Sequence, residues 1–272
     1  MTLSRPAVRA LLTSRGLAPR RDLGQNFVTD PNTVRRMAHL AEVGTGDKVV
    51  EIGAGLGALT MALAETGAAV TAIEVDHGLV RALTDVVGDV ERVTVVEADA
   101  MSVDWADLLG AGAGWVLVAN LPYNVATPLV ADLLDRVPAI SRMLVMVQRE
   151  VAERFAAAPG SAAYGAVSVK IAYWADARIV GEVPASVFVP RPNVDSALVA
   201  INRRPPPDVE PEPLFALVRA AFAQRRKMLR RSLRDRVTPE QFAAAGVDPT
   251  ARPEELGLAD WCRLTVATRD RS

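Results

Sequence analysis

Short apolar runs alternate with helical patterns along the first 157 residues of the chain. Runs rich in Val and Ile that are bounded by turn residues predict buried strands, and apolar positions spaced three and four apart predict helices. The pattern predicts strands at 48–52, 69–74, 92–97, 115–119 and 142–147, and helices at 31–42, 56–65, 78–87, 127–135 and 150–157. Strands that alternate with helices are typical of an α/β fold with a mostly parallel, doubly wound sheet flanked by helices.

The pattern changes in the last third of the chain. Residues 178–183 and 196–202 have the pattern of a late pair of strands, and a proline-rich linker follows at 203–213. Beyond the linker the pattern is helical as far as residue 270. The sequence therefore predicts two domains, with the sheet in residues 1–207 and a small all-helical C-terminal domain in residues 208–272.

Composition narrows the class of protein. Half of the 272 residues are hydrophobic, which is enough for a good core, but no apolar run reaches the roughly 18 residues that a membrane helix needs. The N-terminus has no apolar block of the kind found in secretory signals. Cys262 is the only cysteine, and His39 and His77 are far apart, so neither a disulfide nor a bound metal is expected. We expect a cytoplasmic protein without a membrane anchor.

Positive charge is concentrated in two segments, although the net charge is only −1. Residues 1–21 contain five Arg and no acidic residue, and residues 219–236 contain eight Lys or Arg and one Asp. Arg226 would fall inside an apolar stripe if the helix were continuous. Either the helix breaks near residues 223–225, which we favour, or Arg226 is buried with a partner. A solvated charged face is one interpretation of the second segment, and contact with phosphates is the other, which we favour. The candidate phosphate contacts are Arg225, Arg226, Lys227, Arg230, Arg231 and Arg234.

A glycine-rich segment from Glu51 to Gly57 ends the first predicted sheet strand and begins a helix. Such loops bring backbone N–H groups close to a ligand, and Glu74, at the end of the next strand, can accept from both hydroxyls of a ribose. These features also match a dinucleotide site, which leaves an NAD-dependent enzyme as an alternative. Glu51 would repel a pyrophosphate but suits a cationic ligand. Asp99, after the third strand, can accept from an adenine amine, or it can simply cap a turn.

The segment Asn120-Leu121-Pro122-Tyr123 follows the apolar run 115–118. It therefore lies at the carboxyl end of a strand, where open α/β sheets bind their ligands. It offers two carbonyl acceptors, from the Asn120 side chain and the Leu121 backbone, beside a flat aromatic ring. Such a group suits a flat base with an exocyclic amine, although Asn and Pro are also common in ordinary turns.

The chain resembles the ribosomal RNA adenine-N6,N6-dimethyltransferases of the KsgA type, which are related to the Erm methylases. The resemblance rests on five motifs: residues 23–30 (LGQNFVTD), 51–57 (EIGAGLG), 120–124 (NLPYN), 188–196 (FVPRPNVDS) and 224–227 (QRRK). It implies a Rossmann-like class I methyltransferase domain with a basic N-terminal extension and a small helical C-terminal domain that contacts RNA. It implies S-adenosylmethionine as the cofactor, held by Asn26, Val28, Gly53, Gly55, Glu74, Asp99 and Asn120.

The resemblance also implies the substrate, two adjacent adenosines in the 3′-terminal hairpin loop of 16S rRNA within a 30S precursor. We expect a monomer whose catalytic residues are Asn120, Leu121, Pro122, Tyr123 and Phe188, with Phe188 and Tyr123 stacking on opposite faces of the base. The alternative for Phe188 is a buried anchor of its loop. Two alternatives for the whole chain are an Erm-like methylase of 23S rRNA and an RNA-binding assembly factor whose methylation is incidental.

Overall fold

The structure, a computed structural model, describes residues 3–20, 23–110 and 112–269. The chain divides into two compact units. The first comprises the residues up to Ala152 together with Arg178–Arg203. The second comprises Glu153–Ala177 and the residues from Arg204 onward.

Most strands belong to the first unit. The strands are β1 (Phe27–Val28), β2 (Lys48–Ile52), β3 (Ala69–Glu74), β4 (Val93–Glu97), β5 (Trp115–Asn120), β6 (Ile140–Gln148), β7 (Ala175–Val183), β8 (Phe188–Val189) and β9 (Ser196–Arg203). The helices of the first unit are α1 (Arg5–Ser14), α2 (Pro31–Leu40), α3 (Ala58–Ala64), α4 (His77–Val87), α5 (Trp105–Leu109) and α6 (Ala126–Arg136), and α7 (Arg149–Phe155) crosses the boundary.

Seven strands form the main sheet, in the order β4-β3-β2-β5-β6-β9-β7. The first five run parallel, and β9 is antiparallel to β6. The chain builds outward from β2 to β3 and β4, and then returns to the other side of β2 to add β5. This change of direction makes the carboxyl ends of β2 and β5 the position where such sheets hold ligands. The mostly parallel α/β sheet predicted from the sequence is confirmed.

Helix α2 illustrates how local sequence sets these elements. The Asp30 carboxylate accepts hydrogen bonds from the backbone N–H groups of Asn32 and Thr33, at 3.4 and 2.9 Å, and Pro31 occupies the first turn. Val34 and Met37 then face inward and are buried against the sheet in the main core of this unit. The start predicted for this helix, at residue 31, is confirmed.

The second unit is helical. It contains α8 (Ala166–Trp174), α9 (Pro211–Phe222), α10 (Leu229–Ser232), α11 (Pro239–Ala245) and α12 (Leu258–Arg269). Its core includes Tyr164 and Tyr173 from the segment 153–177, packed among Phe215, Leu229 and Trp261. The sequence placed 153–177 with the sheet, whereas the structure groups it with the C-terminal helices, because its apolar partners lie more than 40 residues further along the chain.

Three helices, α1, α5 and α8, were not predicted from the sequence. Helix α1 lies in the N-terminal basic segment, and α5 is a short helix of five residues. The predicted break after α9 is confirmed, because the helix ends at Phe222 and residues 223–226 form a turn before α10. Among the described residues, no helix is both long enough and apolar enough to cross a membrane.

Candidate active site at the carboxyl ends of the strands

A cavity of about 240 Å³ lies at the carboxyl ends of β2 to β5 in the first unit. Ten of the residues predicted from the sequence contribute to its wall: Asn26, Val28, Gly53, Gly55, Glu74, Asp99, Asn120, Leu121, Pro122 and Tyr123. They come from five separate segments of the chain. The order of strands in the sheet therefore brings together residues that lie up to 97 positions apart.

The Asn120 side chain has a defined orientation. Its Nδ2 donates a hydrogen bond to the backbone carbonyl of Asn26, at 3.0 Å. A carbonyl oxygen can only accept, so the amide nitrogen must face Asn26, and Oδ1 is left as the free acceptor end of the amide. Asn120 is the last residue of β5, so the sheet itself holds this side chain at the rim of the cavity.

The loop before β1 packs against the turn after β5. Gly24 has φ +64°, and a Cβ placed on it would lie 2.9 Å from Asn124 Oδ1 and 3.2 Å from Pro122 Cβ. Any side chain at position 24 would therefore be both strained and crowded. This close approach explains why the loop can present its Asn26 carbonyl to Asn120.

The glycine loop is shaped in a similar way. Gly55 has φ +59°, and a Cβ there would lie 3.2 Å from the Phe27 ring. The Gly55 N–H donates to Glu74 Oε2 at 2.8 Å, and the Glu74 Oε1 accepts from the N–H groups of Val75 and Asp76, each at 3.0 Å. Three backbone donors thus fix the Glu74 carboxylate at the end of β3. Burial is the main cause that raises the pKa of Glu74, and these donors oppose that rise.

Glu51 is buried in the wall of the cavity, 2% exposed, and its Oε2 accepts a hydrogen bond of 2.6 Å from the Thr60 hydroxyl. Burial raises the pKa of Glu51 from an ordinary 4.5 to about 8, the Thr60 hydrogen bond lowers it, and the Glu74 charge raises it further. The site thus has an uncharged carboxyl group at neutral pH. A cationic ligand beside it would favour the ionised form.

This pKa has a consequence for stability that can be measured. The unfolded chain loses the Glu51 proton near pH 4.5, whereas the folded protein keeps it to about pH 8, so the free energy of unfolding falls as pH rises between these values. Glu51→Gln should flatten this decline and raise Tm at pH 8 relative to the unmodified protein. Thermal melts from pH 4.5 to 8.5 measure it, with the exposed Glu91→Gln as control. Parallel curves for the protein and for Glu51→Gln would contradict it.

Asp99 both caps a turn and faces the cavity. One carboxylate oxygen, Oδ1, accepts from the Met101 N–H at 2.9 Å, which confirms the turn contact that the sequence left open. The residue is nonetheless exposed and lines the cavity beside Met101, and Val75 lines the same cavity after Glu74. Val75 and Met101 are large apolar side chains, 49% and 40% exposed, which provide apolar surface near two carboxylates.

Phe188 does not line the cavity. Its side chain is completely buried in the core of the first unit, on β8, where it pairs with Val28 of β1. The prediction that Phe188 stacks on the target base is therefore not supported by this structure, and its position matches the alternative of a buried loop anchor. The cause is the pairing of β8 with β1, which turns this residue inward, and sequence patterns did not predict that pairing.

The candidate RNA contacts lie on the second unit, and all six are exposed. Arg225 is engaged within the protein, because its guanidinium bonds the Glu254 carboxylate at 2.5 Å and the Ala162 carbonyl at 2.8 Å. This pairing argues against a role for Arg225 in binding phosphate. Arg226, Lys227, Arg230, Arg231 and Arg234 remain candidates.

Three of the five N-terminal arginines have partners within the protein. Arg5 donates to the Ser186 and Phe188 carbonyls, Arg15 pairs with Asp85, and Arg20 lies 3.8 Å from Asp76. Arg9 is exposed, and Arg21 lies outside the described residues. Most of this basic segment therefore binds the protein itself.

Residues of this region that sequence reasoning missed include Val8, Thr60 and Ser196. Val8 of α1 lines the cavity, and the apolar spacing of Val8 and Leu12 could have indicated that helix. Thr60 holds Glu51, and Ser196 holds Tyr123 through a hydrogen bond of 2.7 Å between Ser196 Oγ and Tyr123 Oη. No sequence signal identifies the last contact, because its partners are 73 residues apart.

Several known proteins are similar to this chain over most of its length. The profile of the family described as "Ribosomal RNA adenine dimethylase" matches residues 16–269. The chain is 49% identical over 94% of its length to the ribosomal RNA small subunit methyltransferase A of Thermobifida fusca, covering 93% of that protein. It is 46% identical over 97% of its length to the protein of the same name from Cutibacterium acnes, covering 94% of it.

Solved structures share the fold. The chain is 25% identical to the 23S rRNA methyltransferase ErmE, with a TM-score of 0.67 over 89% of this chain and 99% of that one. A dimethyladenosine transferase from Plasmodium falciparum is 22% identical, with a TM-score of 0.71 over 86% of this chain and 94% of that one. The family profile spans nearly the whole chain, and the two relatives are 49% and 46% identical to it over 94% and 97% of its length. The chain belongs to the ribosomal RNA adenine dimethylase family.

Proposed function

We propose that this protein transfers methyl groups from S-adenosylmethionine to N6 of two adjacent adenosines in the 3′-terminal hairpin loop of 16S rRNA. The product is N6,N6-dimethyladenosine, formed on a precursor of the small ribosomal subunit by a monomeric enzyme in the cytoplasm. The orientation of the Asn120 amide carries the proposal, because it leaves an acceptor for an amine at the rim of the cavity. The relatives named small subunit methyltransferase A support this substrate over 23S rRNA.

The polar groups that line the cavity suit the polar groups of S-adenosylmethionine. Gly55 has no side chain and a positive φ that glycine adopts without strain, so the backbone of the glycine loop can approach a ligand closely. Glu74 would accept from the ribose hydroxyls, and Asp99 from the adenine amine. Glu51 would face the cationic part of the ligand. Asn26, Val28 and Gly53 would complete the binding surface.

The protein's own contribution to the chemistry concerns the amine. When bound, S-adenosylmethionine supplies a methyl group made electrophilic by a positively charged sulfur. The adenine N6 lone pair is delocalised into the ring, so it is a poor nucleophile until the amine becomes pyramidal. Asn120 Oδ1 and the Leu121 carbonyl would accept hydrogen bonds from the two N–H groups of the amine. These hydrogen bonds would stabilise the positive charge that builds on the nitrogen.

Positioning would account for most of the rate. The Tyr123 ring would stack on the base, and base–aromatic stacking contributes about 1–3 kcal/mol. Pro122 restricts the backbone between the two acceptors and the ring. Extruding the base from its own stack is easiest in a loop, which agrees with a hairpin-loop substrate. Alignment of the nitrogen with the methyl group then removes much of the entropic barrier.

We assign RNA contact to the five remaining candidates of the second unit, which are Arg226, Lys227, Arg230, Arg231 and Arg234. Arg226→Ala combined with Arg231→Ala should weaken binding of the 16S hairpin and reduce the slope of log affinity against log salt by about 1.5–2 units. Fluorescence anisotropy at salt concentrations from about 50 to about 200 mM measures this slope. Arg225→Ala is the matched control, since its guanidinium already bonds Glu254, and it should lower Tm with a smaller change in slope. Equal slopes for all proteins would count against this surface.

Labelled S-adenosylmethionine supplied with undermodified small and large subunits tests the proposed function. We expect label in the 16S rRNA, at two adjacent adenosines near its 3′ end. Label confined to 23S rRNA would refute the proposal in favour of an Erm-like activity. Normal subunit maturation by a variant that binds RNA but cannot transfer methyl groups would favour the assembly-factor alternative.

A further inference from the structure

The Tyr123 ring is tied to a strand at the far end of its side chain. Tyr123 lies in the turn between β5 and α6, where the backbone alone does not fix a ring, and its side chain is partly exposed toward the cavity. Its phenol oxygen lies 2.7 Å from the hydroxyl oxygen of Ser196, and either group can donate. A ring held at the backbone and at its tip has little freedom to tilt.

Ser196 is a rigid point to which the ring can be fixed. It is completely buried, and it begins β9 opposite Gln148 of β6 in an antiparallel ladder. The residue before it is also anchored, because the Asp195 carboxylate accepts from the Ala185 N–H at 2.8 Å and lies 3.6 Å from the Arg149 guanidinium. The backbone N–H of Arg149 in turn donates a hydrogen bond to the backbone carbonyl of Asp195, at 3.0 Å.

We propose that Ser196 is a positioning residue, whose hydroxyl sets the angle at which the Tyr123 ring meets the target base. The inference rests on the proposed function and adds a residue that acts only through Tyr123. Without the hydrogen bond the ring keeps its apolar surface but samples more orientations. Fewer bound bases then present N6 in line with the methyl group, which lowers the rate of transfer rather than the affinity for the cofactor.

The protonation state of the phenol agrees with this role. Burial raises the pKa of Tyr123, the hydrogen bond to Ser196 lowers it, and the negative charge of Asp195 raises it. The hydroxyl therefore keeps its proton at neutral pH and can donate or accept. The Ser196 hydroxyl is uncharged as well, so the hydrogen bond between the two residues should persist unchanged across the neutral pH range.

Reciprocal variants test the contact. Ser196→Ala and Tyr123→Phe each remove one hydroxyl and keep the ring, and each should lower kcat on undermodified small subunits about three- to tenfold. The double variant should be no slower than the worse single variant, because both lose the same hydrogen bond. The dissociation constant for S-adenosylmethionine, measured by calorimetry, should stay unchanged in all three.

Ser168→Ala provides a matched control. Ser168 is a buried serine of the second unit that donates a hydrogen bond to the Arg154 carbonyl at 2.6 Å. Its replacement should lower Tm without changing kcat, and an equal loss of kcat there would overturn the inference. Additive losses in the double variant, or full activity of Ser196→Ala, would also overturn it. Failure of the unmodified protein to methylate small subunits would instead refute the proposed function.

Discussion

Asn120→Ala should lower kcat for methyl transfer by about 10²–10³-fold, the range seen when one preorganised polar group is removed from a transition state. The change deletes Oδ1, which is the side-chain acceptor proposed for the N6 amine, and it frees the Asn26 carbonyl from its partner. The backbone of β5 ends at this residue and should keep its place, because the Leu121 N–H donates to the Met146 carbonyl at 3.1 Å. Single-turnover methylation of undermodified small subunits measures the effect.

Asn202→Ala is the control for this experiment. Asn202 lies on β9 of the same sheet, opposite Arg142, and its side chain is exposed. Its replacement should leave kcat unchanged within about twofold, because surface changes of this kind have small effects. Retention of normal kcat by Asn120→Ala would remove the amine-acceptor argument, and with it the central step of the proposed chemistry.

Glu74→Ala should weaken binding of S-adenosylmethionine by about 10–100-fold, as expected for loss of hydrogen bonds to a charged or strongly polar acceptor. The change removes the proposed ribose acceptor and also leaves the Gly55 N–H of the glycine loop without its partner. Glu74→Gln keeps one acceptor oxygen, so its affinity for S-adenosylmethionine should lie between those of the unmodified protein and Glu74→Ala. Calorimetric titration of the cofactor measures all three proteins.

The neighbouring strand supplies the control. Glu97 ends β4 directly opposite Glu74 in the parallel ladder, yet its carboxylate contacts His77 Nδ1 at 2.9 Å and is exposed. Glu97→Ala therefore removes the same functional group from the same edge of the sheet without removing a residue of the cavity wall. We expect unchanged cofactor affinity for Glu97→Ala. Equal affinity losses in Glu97→Ala and Glu74→Ala would point to a general charge effect rather than ribose binding.

Much of the sheet follows from local sequence. The strands at Lys48–Ile52 and Ala69–Glu74 were predicted with the bounds that the structure has, because short β-branched runs end abruptly at glycine or at a carboxylate. The sequence alone therefore places the residues at the ends of these strands along one edge of the sheet. Gly53, Glu74, Asp99 and Asn120 of the cavity wall follow from that placement, whereas Val8, Asn26 and Val28 do not.

What local sequence could not predict depends on distant contacts. The burial of Phe188 follows from the pairing of two-residue strands far apart in the chain, and the internal ion pair of Arg225 follows from a fold that brings Glu254 to it. The grouping of residues 153–177 with the C-terminal helices likewise depends on packing among aromatic side chains such as Tyr173 and Phe215, whose ring centroids are 5.2 Å apart. Periodicity carries no information on such partners.

The fixed orientation of the Asn120 amide also bears on which purines the proposed enzyme would accept. Guanine and hypoxanthine carry an oxygen at C6, where adenine carries its amine, and that oxygen would face Asn120 Oδ1 with no proton between the two. The amide cannot rotate to present its NH₂ group without giving up the carbonyl of Asn26. A 6-oxopurine swung into the cavity would thus meet lone-pair repulsion and bury an unpaired oxygen, the kind of mismatch that polar sites reject most strongly. Discrimination between bases would then depend on a loop nearly a hundred residues before Asn120 in the chain.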